Sequence, residues 1–299
     1  MIRVLLLGPV GLVFVIVLLG VGYNLVVIQG FDTQTPPEHH GNTQWQLYPS
    51  QPGQPLVVGF GGGEGGNSWA GPHGAKQRKM LHEHGYSFLA VGYFGMDGIP
   101  QNLDRISLDA VHNTLQAVAQ SPEVAAPCVI VKGASRGAEL ALLLASHFSG
   151  YEAAVGIVPG SAVFPALTAA MTTPGFSLHG RSLDFVPVPW SATPALLTGD
   201  LRGAFEAMME DEAAMMNAAI PVEQANGPLL LISATHDEQW PSMQMSEQMM
   251  QRLQKQGFPH HYQHVALEGG HSEHHDHFDL VIEFLDQHVK SRPNCMLEV

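Results

Sequence analysis

Basic residues are scarce. The 299-residue chain holds 13 Lys and Arg against 27 Asp and Glu, a formal net charge of −14 with histidine neutral. So acidic a surface cannot gather around a phosphate backbone, which excludes nucleic acid as a partner. It also disfavours polyanions such as CoA at long range unless local Arg or Lys compensates. Cysteine is nearly absent. The two present, Cys128 in an apolar run and Cys295 on the tail, form no disulfide framework and leave the redox compartment open. Cys128 is expected to be buried and inert. Charged residues make up only 13% of a chain that is 45% hydrophobic, and no internal repeat is evident.

One stretch does carry chemistry. Val131-Lys132-Gly133-Ala134-Ser135-Arg136-Gly137-Ala138-Glu139-Leu140 reads as a buried strand running through Gly-x-Ser-x-Gly into an apolar helix. In that context the motif is a nucleophile elbow, whose turn strains the serine and exposes it at the end of a sheet. Gly133 and Gly137 are required because the turn brings helix backbone against strand backbone. A Gly-rich turn with an idle serine is the bland alternative.

A serine needs a base, and the base needs an orienting acid. In the matching chain order of Ser, then Asp or Glu, then His, the acid follows a later strand. Leu229–Ser233 is such a strand and leads to His236-Asp237-Glu238-Gln239-Trp240-Pro241-Ser242, which puts Asp237 in the acid position with Glu238 as competitor. The last strand, Tyr262–Leu267, leads to Glu268-Gly269-Gly270-His271, and His271 is the expected base. His260, His261, His264, His274, His275 and His277 crowd the same region. His271, His274 and His275 fall at i, i+3, i+4, but metal-site histidines come with a defined ligand set, and His271 already has a role. They are read as surface histidines; no metal and no cofactor is needed.

The oxyanion hole should use the backbone N–H after the nucleophile, at Arg136, and one from the loop after an early strand. Leu56–Phe60 is that strand and runs into Gly61-Gly62-Gly63-Glu64-Gly65-Gly66, with Gly63 the first choice of donor and Glu64 the next. A phosphate-cradling loop is the rival reading, but no Gly-Lys-Ser/Thr follows.

Expected strands are Leu56–Phe60, Ser87–Tyr93, Cys128–Lys132, Ala153–Val158, Leu229–Ser233 and Tyr262–Leu267, with a helix over Leu108–Ala119 before the elbow strand. Strands alternating with helices predict an α/β-hydrolase fold, a mostly parallel sheet with helices on both faces. That domain should span 55–292. A segment rich in Pro, Gly and Met over 161–219 interrupts the rhythm and is expected to form a cap, where Met208, Met209, Met215 and Met216 either pack a core or line a site for apolar ligands. Residues 30–54 read as a linker or an arm lying on the domain, and 293–299 as a tail.

The one long hydrophobic run lies at the start, preceding the fold as an N-terminal hydrophobic helix. Val4 to Ile28 contains no charged residue, enough to span about 30 Å of hydrocarbon. Arg3 precedes it, while Asp32 and Glu38 follow and the next basic residue is Lys76. Residues 1–29 are therefore expected to be a transmembrane anchor, with the N-terminus inside and the domain outside the cytoplasm. A signal peptide cleaved near Gly20 or Gly22, giving a secreted or periplasmic protein, is the alternative.

Taken in order, Gly62-Gly63-Glu64-Gly65-Gly66, Leu89-Ala90-Val91-Gly92-Tyr93-Phe94-Gly95, the elbow segment from Gly133 to Leu142, Ile220-Pro221-Val222-Glu223 and Asp237-Glu238-Gln239-Trp240-Pro241-Ser242 resemble the catalytic domain shared by acyl-CoA thioesterases and bile acid-CoA:amino acid N-acyltransferases. The resemblance runs from about Pro55 to His288. It implies Ser135, Asp237 and His271 as the triad and a small-molecule acyl ester or thioester as substrate. The acyltransferase branch often carries cysteine as nucleophile, so serine implies hydrolysis. Animal members carry a β-sandwich domain ahead of this one, for which the stretch between the hydrophobic run and Pro55 is too short. Transfer of the acyl group to an amine or alcohol, and silent binding of an apolar ligand, are the alternatives.

Overall fold

A computed structural model describes residue 15 and residues 18–295. Its elements follow in chain order: β1 (Gln44–Tyr48), β2 (Leu56–Phe60), α1 (Ala75–Glu83), β3 (Ser87–Gly92), β4 (Ile106–Ser107), α2 (Leu108–Ala119), β5 (Val129–Ala134), α3 (Arg136–His147) and β6 (Ala153–Ile157). After them come β7 (Phe176–Leu178), β8 (Arg181–Ser182), α4 (Thr193–Thr198), α5 (Leu201–Met209), α6 (Glu212–Asn217), β9 (Leu229–Ala234), α7 (Ser242–Gln256), β10 (Tyr262–Leu267) and α8 (Asp279–His288).

The main sheet has the order β1-β3-β2-β5-β6-β9-β10, with every neighbouring pair parallel except β1 with β3. Period-two alternation divides each strand between two cores. On β2, Leu56, Val58 and Phe60 face a layer built with α2 and α3, while Val57 faces one built with Leu81 of α1 and Val281 and Leu285 of α8. Covered on both faces, the central strands are mostly apolar, and this gives them their long hydrophobic runs. A third cluster, with Phe164, Val186, Met208, Trp240 and Met245, fixes the 161–219 segment to the loop after β9. Met208 is buried there, while Met216 points outward. Within the stretch read as a linker or arm, β1 adds an antiparallel edge strand. Its partly exposed, polar-mixed sequence Gln-Trp-Gln-Leu-Tyr gives only a weak strand signal.

Two expectations need correction. Among the described residues no helix is long and apolar enough to cross a membrane. The N-terminal helical stretch passes into a π-helical turn at Asn24–Ile28, and the Tyr23 hydroxyl donates to the Ala169 carbonyl of the domain. The single-pass placement, with the domain outside the cytoplasm, rested on that span and falls with it. Residues 1–14, 16 and 17, where the first part of the expected helix lies, are outside the described residues.

The cysteines also differ from expectation: Cys128 and Cys295 form a disulfide. The tail is brought to the start of β5 by a turn at Pro293–Cys295, which Arg292 and Asn294 hold to Glu152 at 3.0 and 2.7 Å. A pairing across 167 positions leaves no local trace in the sequence. In the chain-entropy account, closing so long a loop is worth about 5 kcal/mol. Cys295→Ala, or reduction of the wild type, should therefore lower the unfolding free energy by about that amount in urea titrations. Activity at low temperature should persist, because the bond lies at the opposite end of β5 from Ser135.

Candidate active site

Strand β5 ends at Ala134, and Ser135 adopts φ 55° and ψ −122° before α3 begins at Arg136. A non-glycine residue in that region carries strain of about 1–3 kcal/mol, sustained only because the surroundings over-determine it. The glycines on either side supply that constraint. A Cβ on Gly133 would lie 1.9 Å from the Gly137 carbonyl oxygen, and one on Gly137 would lie 2.2 Å from that of Gly61. The turn is an elbow between strand and helix, as the motif implies.

Asp237, the expected acid, meets His271, the expected base. Asp237 is fully buried after β9, and its Oδ1 lies 2.8 Å from His271 Nδ1. The Ser242 hydroxyl donates to Asp237 Oδ2 at 2.6 Å, and the backbone N–H groups of Gln239 and Trp240 donate to Oδ1. Burial by itself would raise the Asp237 carboxyl, but the hydrogen bonds from His271 and Ser242 outweigh it and hold the group below its ordinary value. Glu238 does something else. Its exposed carboxylate accepts the His271 backbone N–H at 2.9 Å, which lowers its pKa and fixes the loop that carries the imidazole. His271 makes no hydrogen bond to Ser135 in this structure, although both line one cavity. Such contacts in ligand-free sites often tighten only when substrate binds.

The loop after β2 lies against the elbow, since a Cβ on Gly62 would be 3.1 Å from Ser135 Cβ. The Gly62 N–H is engaged by Glu64 Oε1 at 3.1 Å, whereas the Gly63 and Glu64 N–H groups have no partner among the described residues. Arg136, first residue of α3, has one of the N–H groups that a helix start leaves unpaired. Its guanidinium is buried, 3.0 Å from Glu139 Oε2, and donates to the Phe164 and Pro165 carbonyls. Burial pushes the Glu139 carboxyl up to about 7, against the lowering effects of Arg136 and the Phe164 N–H. This group ties the start of the 161–219 segment to the elbow helix.

The neighbouring histidines scatter. His264 Nε2 lies 2.7 Å from Ser233 Oγ, His261 stacks on His288, and His277 pairs with Glu273. Among the described residues no group of three or more His, Cys, Asp and Glu is placed to hold a metal ion. His274 departs from the surface reading. It is buried, and burial first, then the neighbouring His275 and Lys132, pushes its imidazole down to about 3.

A cavity of about 210 Å³ begins at Ser135 and His271. It extends between Trp69, Gln77 and His274, and none of its lining residues comes from 161–219. The sequence reading missed Trp69, Gln77 and, behind them, Lys132. Lys132 is fully buried on β5 with its Nζ 3.0 Å from the Trp69 ring centre and no hydrogen-bond partner among the described residues, and burial drives its pKa well down. A lysine inside an apolar strand run was the available signal.

Residues 106–275 match a family model described as "BAAT / Acyl-CoA thioester hydrolase C terminal". Acyl-coenzyme A thioesterase 1 of Mus musculus is 25% identical over 179 residues, 60% of this chain and 40% of that protein. The mouse acyl-coenzyme A amino acid N-acyltransferase 1 is 25% identical over 178 residues, with the same coverage of each. The chain thus spans about two fifths of the curated relatives it matches. Among solved structures, the Pyrococcus horikoshii acylaminoacyl peptidase superposes with a TM-score of 0.57 at 14% identity, covering 90% of this chain and 44% of that one. The puromycin-hydrolyzing peptidase of Mycobacterium tuberculosis gives 0.56 at 13%, covering 83% and 37%. At these identities the superpositions speak to the fold, which is that of the α/β-hydrolases.

Proposed function

The chain belongs to the BAAT / acyl-CoA thioester hydrolase C-terminal family, and on that premise we propose that it is a serine hydrolase cleaving an ester or thioester through an acyl-enzyme. The observation that carries this reading is the Asp237–His271 hydrogen bond of 2.8 Å at the mouth of a cavity that also holds the strained Ser135. Ser135 Oγ attacks the acyl carbonyl while His271 Nε2 takes its proton. Asp237 fixes the imidazole tautomer through Nδ1 and stabilises the cation that forms. The N–H groups of Arg136 and Gly63, with Glu64 next along the loop, receive the oxyanion. His271 returns its proton to the leaving group, then activates the water that frees the acid. The family and the thioesterase relatives support an acyl-CoA thioester as the substrate class. Transfer to an amine is the second reading, favoured by the N-acyltransferase relative.

A fluorophosphonate probe should label the wild type on Ser135, located by peptide mass spectrometry. A panel of acyl-CoAs and p-nitrophenyl esters should then give free acid as product. An unlabelled Ser135 in folded protein would sink the acyl-enzyme. Conversion of product from acid to amide when glycine or taurine is added would favour transfer over hydrolysis.

A further inference from the structure

Gln77 is explained neither by the fold nor by the proposed chemistry. It lies on α1 with 6% of its surface exposed; its side-chain Oε1 is buried without a hydrogen-bond partner, and its Nε2 makes no hydrogen bond among the described residues. Burying an amide oxygen strips it of water without return unless something pairs with it, and native proteins keep few such groups. Gln77 is one of the residues that line the cavity shared by Ser135 and His271.

The rest of the cavity narrows what that ligand is. At about 210 Å³ it falls below the roughly 300–1,000 Å³ of pockets that enclose drug-sized ligands. Trp69 forms one wall, and His274, kept neutral, joins Ser68, His73, Ser272 and His275 as further polar lining. No Lys or Arg is among the lining residues, and the Glu64 carboxylate stands at the edge, so a carboxylate would be repelled there. A long hydrocarbon chain would exceed the volume and leave the amide unpaired.

We infer that this cavity is a specificity pocket for a short substrate segment bearing an uncharged hydrogen-bonding group, a hydroxyl or an amide, which pairs with the Gln77 side chain. The inference rests on the reading that Ser135 attacks the substrate. The segment belongs to the acyl side or the leaving side of the scissile bond, and two substrate pairs separate these. On the acyl side, 3-hydroxybutyryl-CoA is compared with butyryl-CoA; on the leaving side, glyceryl monobutyrate is compared with propyl butyrate.

Wild-type kcat/KM should favour the hydroxylated member of one pair by about tenfold or more, since a site built to pair a hydroxyl rejects the analogue lacking it. Gln77→Leu and the unbranched Gln77→Met should each bring that ratio close to one while fluorophosphonate labelling of Ser135 keeps its wild-type rate. Ratios near one in both wild-type pairs, or a preference that survives both substitutions, would overturn the pocket. Ligand-observed NMR with 3-hydroxybutyramide gives a readout independent of turnover: binding should be present in wild type and lost in Gln77→Leu, and absence of binding in wild type would count against the pocket. Failure of Ser135 to label marks failure of the acyl-enzyme, whereas normal labelling without hydroxyl preference marks failure of the pocket alone.

Discussion

Ser135→Ala should cut turnover by about 10⁶-fold and leave the fold intact, the scale on which loss of a triad nucleophile acts. The substitution removes one oxygen from a side chain that makes no hydrogen bond among the described residues. It keeps a Cβ at the same strained φ of 55°, so the melting temperature should barely move. His271→Ala should cost about as much, and the double variant little more, because members of such a unit fail together. His277→Ala, at a half-buried neighbour that pairs with Glu273, should retain most activity. The measurement is steady-state kinetics on one acyl ester alongside thermal unfolding. Near-normal activity in folded Ser135→Ala would mean that another group attacks the carbonyl.

How much of this was legible in the sequence depended on whether the signal was local. The central strands β3, β2, β5, β6 and β9 lie within a residue or two of their expected bounds, because burial on both faces writes a largely apolar run. Ser135 was legible for a similar reason: two glycines and a serine at fixed spacing between a strand and a helix have a steric cause, which the Gly133 and Gly137 contacts display. Asp237 and His271 follow strand ends, so chain order pointed to a pair that the structure brings within hydrogen-bond distance. The Cys128–Cys295 bond and β1 depend on partners far along the chain, to which no periodicity points. The membrane expectation failed because an uncharged run fixes hydropathy but not the backbone, and the described part of that run ends in a π-helical turn. Gln77 was invisible because it becomes informative only when its missing partners can be counted.

Asp237→Asn should lower the rate by about 10⁴-fold, and Glu238→Gln by no more than about tenfold. Both carboxylates touch His271, so proximity does not separate them; the atoms they hold do. Asp237 meets Nδ1 of the ring, where an amide in its place could donate and so turn the imidazole to the tautomer that cannot accept the serine proton. On His271, Glu238 accepts the backbone N–H, a contact to which the reacting ring nitrogen is indifferent and which a glutamine oxygen can still satisfy. The two also differ in their dependence on pH. The Asp237 carboxyl is held below its ordinary value, so its hydrogen bonds stabilise the fold above the unfolded pKa, and that contribution fades as pH falls through the folded one. Asp237→Asn should remove this part of the acid sensitivity, seen as a flatter dependence of the unfolding midpoint on pH below about 4. Severe loss of activity in Glu238→Gln with a mild effect in Asp237→Asn would transfer the orienting role to Glu238.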